Sequence, residues 1–380
     1  MPRSILSVLA ALAAGAAVAL AAGTACAQIT IGTIYSANDS TLAAGNAVRN
    51  TIEVLPEIVG ARPYRVVAAN DEGVPANAAR AMRKMIADDN VDVVIGGTTP
   101  VTCAALADIA LERKVAHLCL VQIPIRNPYV FAVAHPIGVM VEGIVEHMRA
   151  GGVKTVAFIG TADPWGDESF NQLTRQARDA NIAVLSNERY PRTAKSINPG
   201  VLKVVSTQAN AVMVGASDSA SAALAQISLS ERGYRGRVYQ SHSALVRSFI
   251  ETAGRTAEGA LLPSNAFAVL IQLPETNTIR RAGIEFVRQF ETRFGSGTAS
   301  AEGAYAWDAF ALLNAAIPGA LFRGVPGTEA FRVALRDALE GAKDVIGTQA
   351  VYSMTANDHT GVDRRSRVMV RVEKGMFRIQ

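Results

Sequence analysis

The stretch Val91-Asp92-Val93-Val94-Ile95-Gly96-Gly97-Thr98-Thr99-Pro100-Val101-Thr102 changes character at its centre. The β-branched residues before Gly96 suit a buried strand, and the paired glycines permit a tight turn. Thr99 then stands where an N-cap hydroxyl sits, with Pro100 at the first helical position. A buried strand that turns directly into a helix is the repeating unit of a parallel α/β sheet. The free N–H groups and positive dipole end of such a helix make an anion pocket. Hydroxyls at Thr98 and Thr102 beside Thr99 argue for a bound carboxylate; the competing reading is that Thr99 only caps the helix. Neither a Walker A sequence nor GxGxxG occurs, which disfavours a nucleotide phosphate.

Outward from this unit the same alternation continues. Strands are expected over 29–34, 64–70, 91–95 and 115–121, separated by amphipathic helices over 42–58, 76–88 and 101–113. A further extended piece at 129–135 and a helix over 137–150 lead to Gly151-Gly152, a helix stop. A second series follows, with strands over 155–159, 182–190, 211–214 and 237–240 and helices over 165–180, 197–207 and 219–233. Two mononucleotide-sized series imply two lobes. After Pro263 the alternation stops: helices are expected over 278–294, 301–317 and 328–340, and short strands return over 351–354, 367–372 and 377–379.

The chain has 380 residues, of which 49% are hydrophobic and 18% charged, so wholesale disorder is excluded. Its net charge of +4 is scattered singly, which leaves no basic tract for nucleic acid. Met1-Pro2-Arg3 gives a positive start, residues 5–22 carry no charge, and Ala25-Cys26-Ala27 places small residues where a signal peptidase cuts. Cleavage after Ala27 and export are expected; a retained anchor helix is the alternative. Cys103 and Cys119 are then the remaining thiols, expected as two small buried apolar residues rather than a disulfide. The five histidines show no metal spacing, and no GxSxG or Cys-His nucleophile grouping can be assembled, so neither a metal site nor catalysis is supported.

On the second lobe, Gly160-Thr161-Ala162-Asp163-Pro164-Trp165-Gly166-Asp167 again joins a strand to a helix. Trp165 therefore falls at a strand's carboxyl end, where open α/β sheets bind ligands, and its flat face suits an aliphatic or aromatic group. Asp163 and Asp167 are read as first-turn acids that serve the helix dipole. Ser217, Asp218 and His242 are further strand-end polar groups, each alone more ordinary as a cap or loop residue. Trp307 is expected in the core.

In order and spacing, several of these pieces resemble the leucine/isoleucine/valine-binding family of type I periplasmic binding proteins, the solute receptors of ABC importers. They are Val94-Ile95-Gly96 with its hydroxyls and Ala104-Ala105-Leu106-Ala107, Asn70-Asp71 with Asn77-Ala78-Ala79, and Asp163-Pro164-Trp165-Gly166. Glu258-Gly259 and Ala304-Tyr305-Ala306-Trp307-Asp308-Ala309 complete the set. The resemblance covers essentially all of the mature chain. It implies an α/β, type I periplasmic-binding-protein fold: two Rossmann-like lobes joined by three hinge crossovers, with the ligand enclosed between them. Residues 1–27 would be signal peptide, 28–135 and 266–346 lobe 1, and 136–265 and 347–380 lobe 2, with hinges near His135, Ala266 and Ile346.

The resemblance also carries ligand contacts onto this chain. Thr98, Thr99 and Thr102 would hold the ligand carboxylate. The next strand end maps to Leu120, Val121 and Gln122, where apolar residues depart from the family's small, hydroxylated pattern. Trp165 replaces the tyrosine of the family's Asp-x-x-Tyr-Gly element. The acid that receives an amino acid's ammonium has no counterpart in Ser241-His242-Ser243, which leaves Asp218 as the substitute. Gln272-Leu273-Pro274 with residues 266–271 is similar to a branch associated with aromatic and other non-amino carboxylates. The expected function is a periplasmic, monomeric solute-binding protein that takes a hydrophobic or aromatic carboxylate to a membrane permease. Branched-chain amino acid binding is the alternative on the same scaffold; a sensory domain or a secreted enzyme are alternatives of other classes. No cofactor is expected.

Overall fold

The computed structural model describes residues 28–380, so the expected signal peptide lies outside the described residues. The first series of elements is β1 (Ile29–Tyr35), α1 (Leu42–Ile52), β2 (Ile58–Val59), β3 (Arg62–Asn70), α2 (Pro75–Asp88), β4 (Val93–Gly96), α3 (Pro100–Arg113), β5 (Ala116–Cys119) and β6 (Val130–Ala132). Its six strands form a sheet in the order β2-β3-β1-β4-β5-β6, parallel except where β2 meets β3. The second series is α4 (Ile137–Ala150), β7 (Thr155–Thr161), α5 (Pro164–Asp179), β8 (Ala183–Tyr190), α6 (Asn198–Ser206), β9 (Ala211–Gly215), α7 (Ser219–Glu231), β10 (Arg237–Gln240), α8 (Arg247–Ala253) and β11 (Leu261–Asn265). Three helices follow, α9 (Thr278–Phe294), α10 (Ala301–Leu321) and α11 (Glu329–Glu340), then a hairpin of β12 (Val345–Ile346) and β13 (Val351–Tyr352), and finally β14 (Arg367–Glu373) and β15 (Met376–Ile379). The second sheet runs β15-β14-β11-β10-β9-β7-β8, with β14 and β15 antiparallel.

Each sheet has its own core. In the first, Ile29, Val93, Leu118 and Phe131 from the strands meet Phe310, Leu313 and Ile317 of α10 and Phe331 of α11. α10 is apolar nearly all round, as a helix covered on several sides must be. Its small residues allow close neighbours: the Thr51 hydroxyl of α1 donates to the Gly303 carbonyl at 3.2 Å. In the second sheet, Ile159, Val212, Leu262 and Val370 pack with α6, α7 and α8 on one face, and Phe158, Met213 and Tyr239 with α4 and α5 on the other. Among the described residues no helix is long and apolar enough to cross a membrane.

Several expectations need correction. α1 ends at Ile52, not 58, because the chain turns before Pro56 and Ile58–Val59 pairs with Arg62–Pro63 instead. β11, not expected at all, lies between β10 and β14. Residues 350–362 do not belong with the second lobe. Ala350, Tyr352, Met354 and Val362 are buried in the first sheet's core, so the third crossover falls after Val362 rather than at Ile346. Cys103 and Cys119 are buried, as expected, but bonded to each other, with Cα atoms 6.0 Å apart. Trp307 packs on Phe286 in a smaller cluster beside α9, half-buried rather than central.

The crossovers converge on His135, which is 2% exposed. Its Nε2 lies 3.0 Å from the Ser366 carbonyl, an acceptor, so Nε2 carries the proton. Nδ1 therefore accepts from the Tyr305 hydroxyl at 2.9 Å, and that hydroxyl also meets the Asn265 side chain. Burial lowers the pKa of His135 to about 4, and that of His117, wholly enclosed on β5, to about 4 as well. Burial has the opposite effect on the Asp308 carboxyl, raising it to about 6.

These shifts fix a sign for acid stability. Below about pH 6.5 the unfolded chain protonates both histidines while the folded chain does not, so stability falls as pH drops. Asp308 opposes this, because the folded chain takes up its proton first. His242, whose pKa burial lowers to about 3, acts with these two, so three imidazoles stand against the Asp308 carboxyl and the net effect is a loss of stability between pH 6 and 4. The urea midpoint should fall over that window, and more gently in His117→Phe. A midpoint that stays constant from pH 7 to 4.5 would contradict this assignment.

Candidate ligand-binding site

At the carboxyl edge of the first sheet, two glycines shape the turn after β4. Gly96 (φ +149°) has no room for a Cβ, which would lie 2.1 Å from the Ile34 carbonyl oxygen. Gly97 (φ +76°) rests on the first turn of α3, and a Cβ there would come within 2.6 Å of Cys103 Cα. The Gly97 N–H donates to Ile34 O at 3.0 Å, and His117 Nε2 lies 3.0 Å from Gly96 O. The turn is thus held from both sides before any ligand arrives.

The three threonines have internal roles. The Ser36 N–H donates to Thr98 Oγ1 at 3.0 Å, which ties the ends of β1 and β4 together. Thr99 caps α3 by accepting from the Thr102 N–H at 3.3 Å, and the Thr99 and Thr102 hydroxyls meet at 2.9 Å. Thr102 is fully buried. Thr98 Oγ1 thus acts as an acceptor within the turn while Thr99 and Thr102 bond to each other, and the backbone start of α3 adds N–H groups suited to an anion. Asp71, beside Ser36, is fully buried, and its carboxyl accepts from the Gly73 N–H at 2.8 Å.

Leu120, Val121 and Gln122 follow β5. Leu120 is 3% exposed and packs in the first core. Val121 packs half-buried on the Cys103–Cys119 pair. Gln122 Oε1 accepts from the Ile137 N–H at 3.1 Å, across the first crossover.

On the second sheet the loops after β7 and β9 are joined by Asp163. One of its carboxyl oxygens accepts from the Gly166 N–H and the Thr161 hydroxyl, each at 2.9 Å, and the other from the Ser217 hydroxyl at 2.6 Å. Burial pushes this carboxyl up, but those donors more than offset it, so it ends below its ordinary value. Asp218 behaves alike: it caps α7 through the Ser221 N–H and hydroxyl and pairs with Arg192 at 3.0 Å. Asp167 pairs with Arg189 at 2.7 Å.

Trp165 and His242, distant in sequence, lie together, with ring centroids 4.8 Å apart. Burial and the nearby His135 lower His242 to about 3, so its ring is neutral. Trp165 Nε1 is buried with no partner among the described residues. Ser241 and Ser243 turn their hydroxyls onto the Ala216 carbonyl, at 2.8 and 2.6 Å. Two surface cavities of about 450 and 460 Å³ lie beside the crossovers; Gln122 helps line the second, and neither is lined by Trp165 or His242.

The structure thus brings Trp165 to His242, Ser217 to Asp163, and Thr98 to Ser36. Reasoning from sequence missed Ser36, His117 and the bridging role of Asp163. Asp163 was legible in part: Asp-Pro-x-Gly has N-cap spacing, but nothing local reveals a partner 54 residues away. Among the described residues no cluster of His, Cys, Asp or Glu is arranged to hold a metal ion.

A family model described as periplasmic binding protein matches residues 9–375. A solved protein from Rhodopseudomonas palustris (strain CGA009) is 34% identical, with a TM-score of 0.80 over 93% of this chain and 99% of that one. An extracellular ligand-binding receptor from Rhodopseudomonas palustris HaA2 is 33% identical, with a TM-score of 0.80 over 93% of this chain and 99% of the other. The leucine-binding protein of Thermotoga maritima, 17% identical, shares the fold at a TM-score of 0.72 over 93% of this chain and 97% of that one. Among curated proteins none matches the chain. The chain belongs to the periplasmic binding protein family, in the type I branch typified by the leucine/isoleucine/valine-binding proteins.

Proposed function

We propose that this protein is the extracytoplasmic solute-binding component of an ABC importer and takes a small hydrophobic or aromatic carboxylate. The ligand's carboxylate sits at the start of α3 beside Ser36, and its apolar body lies against Trp165 and His242. Family members are solute-binding proteins rather than enzymes, and the relative from Rhodopseudomonas palustris HaA2 is an extracellular ligand-binding receptor. A monomer in the periplasm that delivers its ligand to a permease accords with both.

One observation carries the ligand class: the acids at the second sheet's edge are already engaged. Asp163 accepts three hydrogen bonds, Asp167 pairs with Arg189, and Asp218 caps α7 and pairs with Arg192. A ligand ammonium placed there would lose its water without gaining a carboxylate, at a cost of several kcal/mol. Neutral His242 offers hydrogen bonding to a ring hydroxyl or second oxygen, not charge.

Calorimetry should show micromolar or tighter binding of a benzoate-type or phenylpropanoid-type acid and none of leucine. Micromolar leucine binding that collapses in Asp218→Asn would overturn the assignment in favour of branched-chain amino acids. Trp165→Ala should weaken the bound acid by roughly 30-fold, the loss of a well-packed aromatic contact worth ~2 kcal/mol. Trp165→Phe, which keeps an aromatic ring against the second core, should retain most of the affinity. Equal affinities in all three proteins would remove Trp165 from the site.

A further inference from the structure

The Cys103–Cys119 bond stands at a particular place in the first sheet. Cys119 is the last residue of β5 and pairs in register with Gly96, the last residue of β4. Up to that pair the backbone ladder fixes the two strands. Beyond it the chains separate into the 97–102 turn and the 120–126 loop, and no ladder holds those together. The disulfide spans this gap, linking the first turn of α3 to the end of β5 with Cα atoms 6.0 Å apart.

Contacts extend from the bond into both loops. Gly97 lies directly on Cys103, with no room for a side chain between them. Val121, Ile123 and Ile125 pack on the two sulfurs' residues together with Ala132. The Cys119 carbonyl accepts from the Val133 N–H at 3.0 Å, and Gln122 accepts from Ile137 at 3.1 Å. Turn, disulfide, loop and first crossover thus form one continuous path from the start of α3 to His135.

We propose that the Cys103–Cys119 disulfide is a positioning element of the ligand site, holding the 97–102 turn and the 120–126 loop at the spacing that receives a carboxylate. The proposal rests on the reading of this sheet edge as the carboxylate site. The two strands are paired without the bond, so the reduced protein keeps its fold and binds the ligand more weakly. Reduction is a two-electron, two-proton step: an external dithiol cleaves the S–S bond, leaves two thiols and departs as its own cyclic disulfide. Both cysteines are wholly buried, so substitution is the cleaner perturbation.

The test compares the wild type with a Cys103→Ala/Cys119→Ala double variant, well below the melting temperature of either. Hydrogen exchange is followed across the chain, and binding of benzoate and 3-phenylpropanoate is measured. Exchange should rise at 97–102 and 120–126 while the second sheet is unchanged, and the affinity for the bound acid should fall about tenfold, because loops that must be ordered on binding weaken it. Unchanged exchange in those two loops overturns the proposal, as does a uniform rise across the first sheet with unaltered affinity. If neither acid binds the wild type, the ligand assignment fails, and the exchange pattern alone decides the role of the disulfide.

Discussion

One neutral imidazole sits where the two halves of the molecule join. His135 lies on the first crossover, donates to the Ser366 carbonyl on the third, and accepts from Tyr305, whose hydroxyl also reaches Asn265 at the second. Three chain passages between the sheets are thereby referred to a single side chain. The arrangement requires one donor and one acceptor on the same ring, which only the uncharged form provides. Burial supplies that form by holding the pKa far below the working range. One turn further along α10, Asp308 accepts from the Thr348 and Gln349 N–H groups at 2.5 and 2.9 Å and meets the Tyr352 hydroxyl. Gly347 is required there, because a Cβ would stand 2.5 Å from the Asp308 carboxyl. The ring of His135 and the carboxyl of Asp308 are thus paired at the junction.

The strand-and-helix alternation was readable because both lobes use local signals: β-branched runs, Ala-rich amphipathic helices, and caps at Thr99, Asp163 and Asp218. What escaped was set by distant partners. β11 contains Pro263 and takes most of its pairing from β14, more than a hundred residues later, so the sequence around it carries no strand period. The segment after Ile346 reads as β and suggests a return to the second sheet. Its apolar residues fit the first core instead, because Tyr352 reaches the Val133 carbonyl and Asp308 there. The disulfide is of the same kind, since two cysteines sixteen apart say nothing about distance until β4 and β5 pair.

The site shows the same division. Position near a strand end was legible for Trp165 and His242, and the structure places their rings together. Hydroxyl and carboxyl chemistry was not, because a side chain that looks available in sequence is often already engaged in the fold. Thr99, Thr102, Asp163 and Asp218 all serve caps and loop-to-loop bonds. The proposed function accordingly pairs a helix start on one sheet with an uncharged aromatic surface on the other, which suits one negative charge and an apolar body.

A crystal structure of the protein with its tightest-binding aromatic carboxylate is the most direct test of that pairing. One ligand should touch both sheets, its carboxylate within hydrogen-bond distance of the α3 start and its ring on Trp165 and His242, with the Asp218–Arg192 pair intact. A ligand seated on one sheet alone, or a carboxylate bound away from the 97–102 turn, would contradict it.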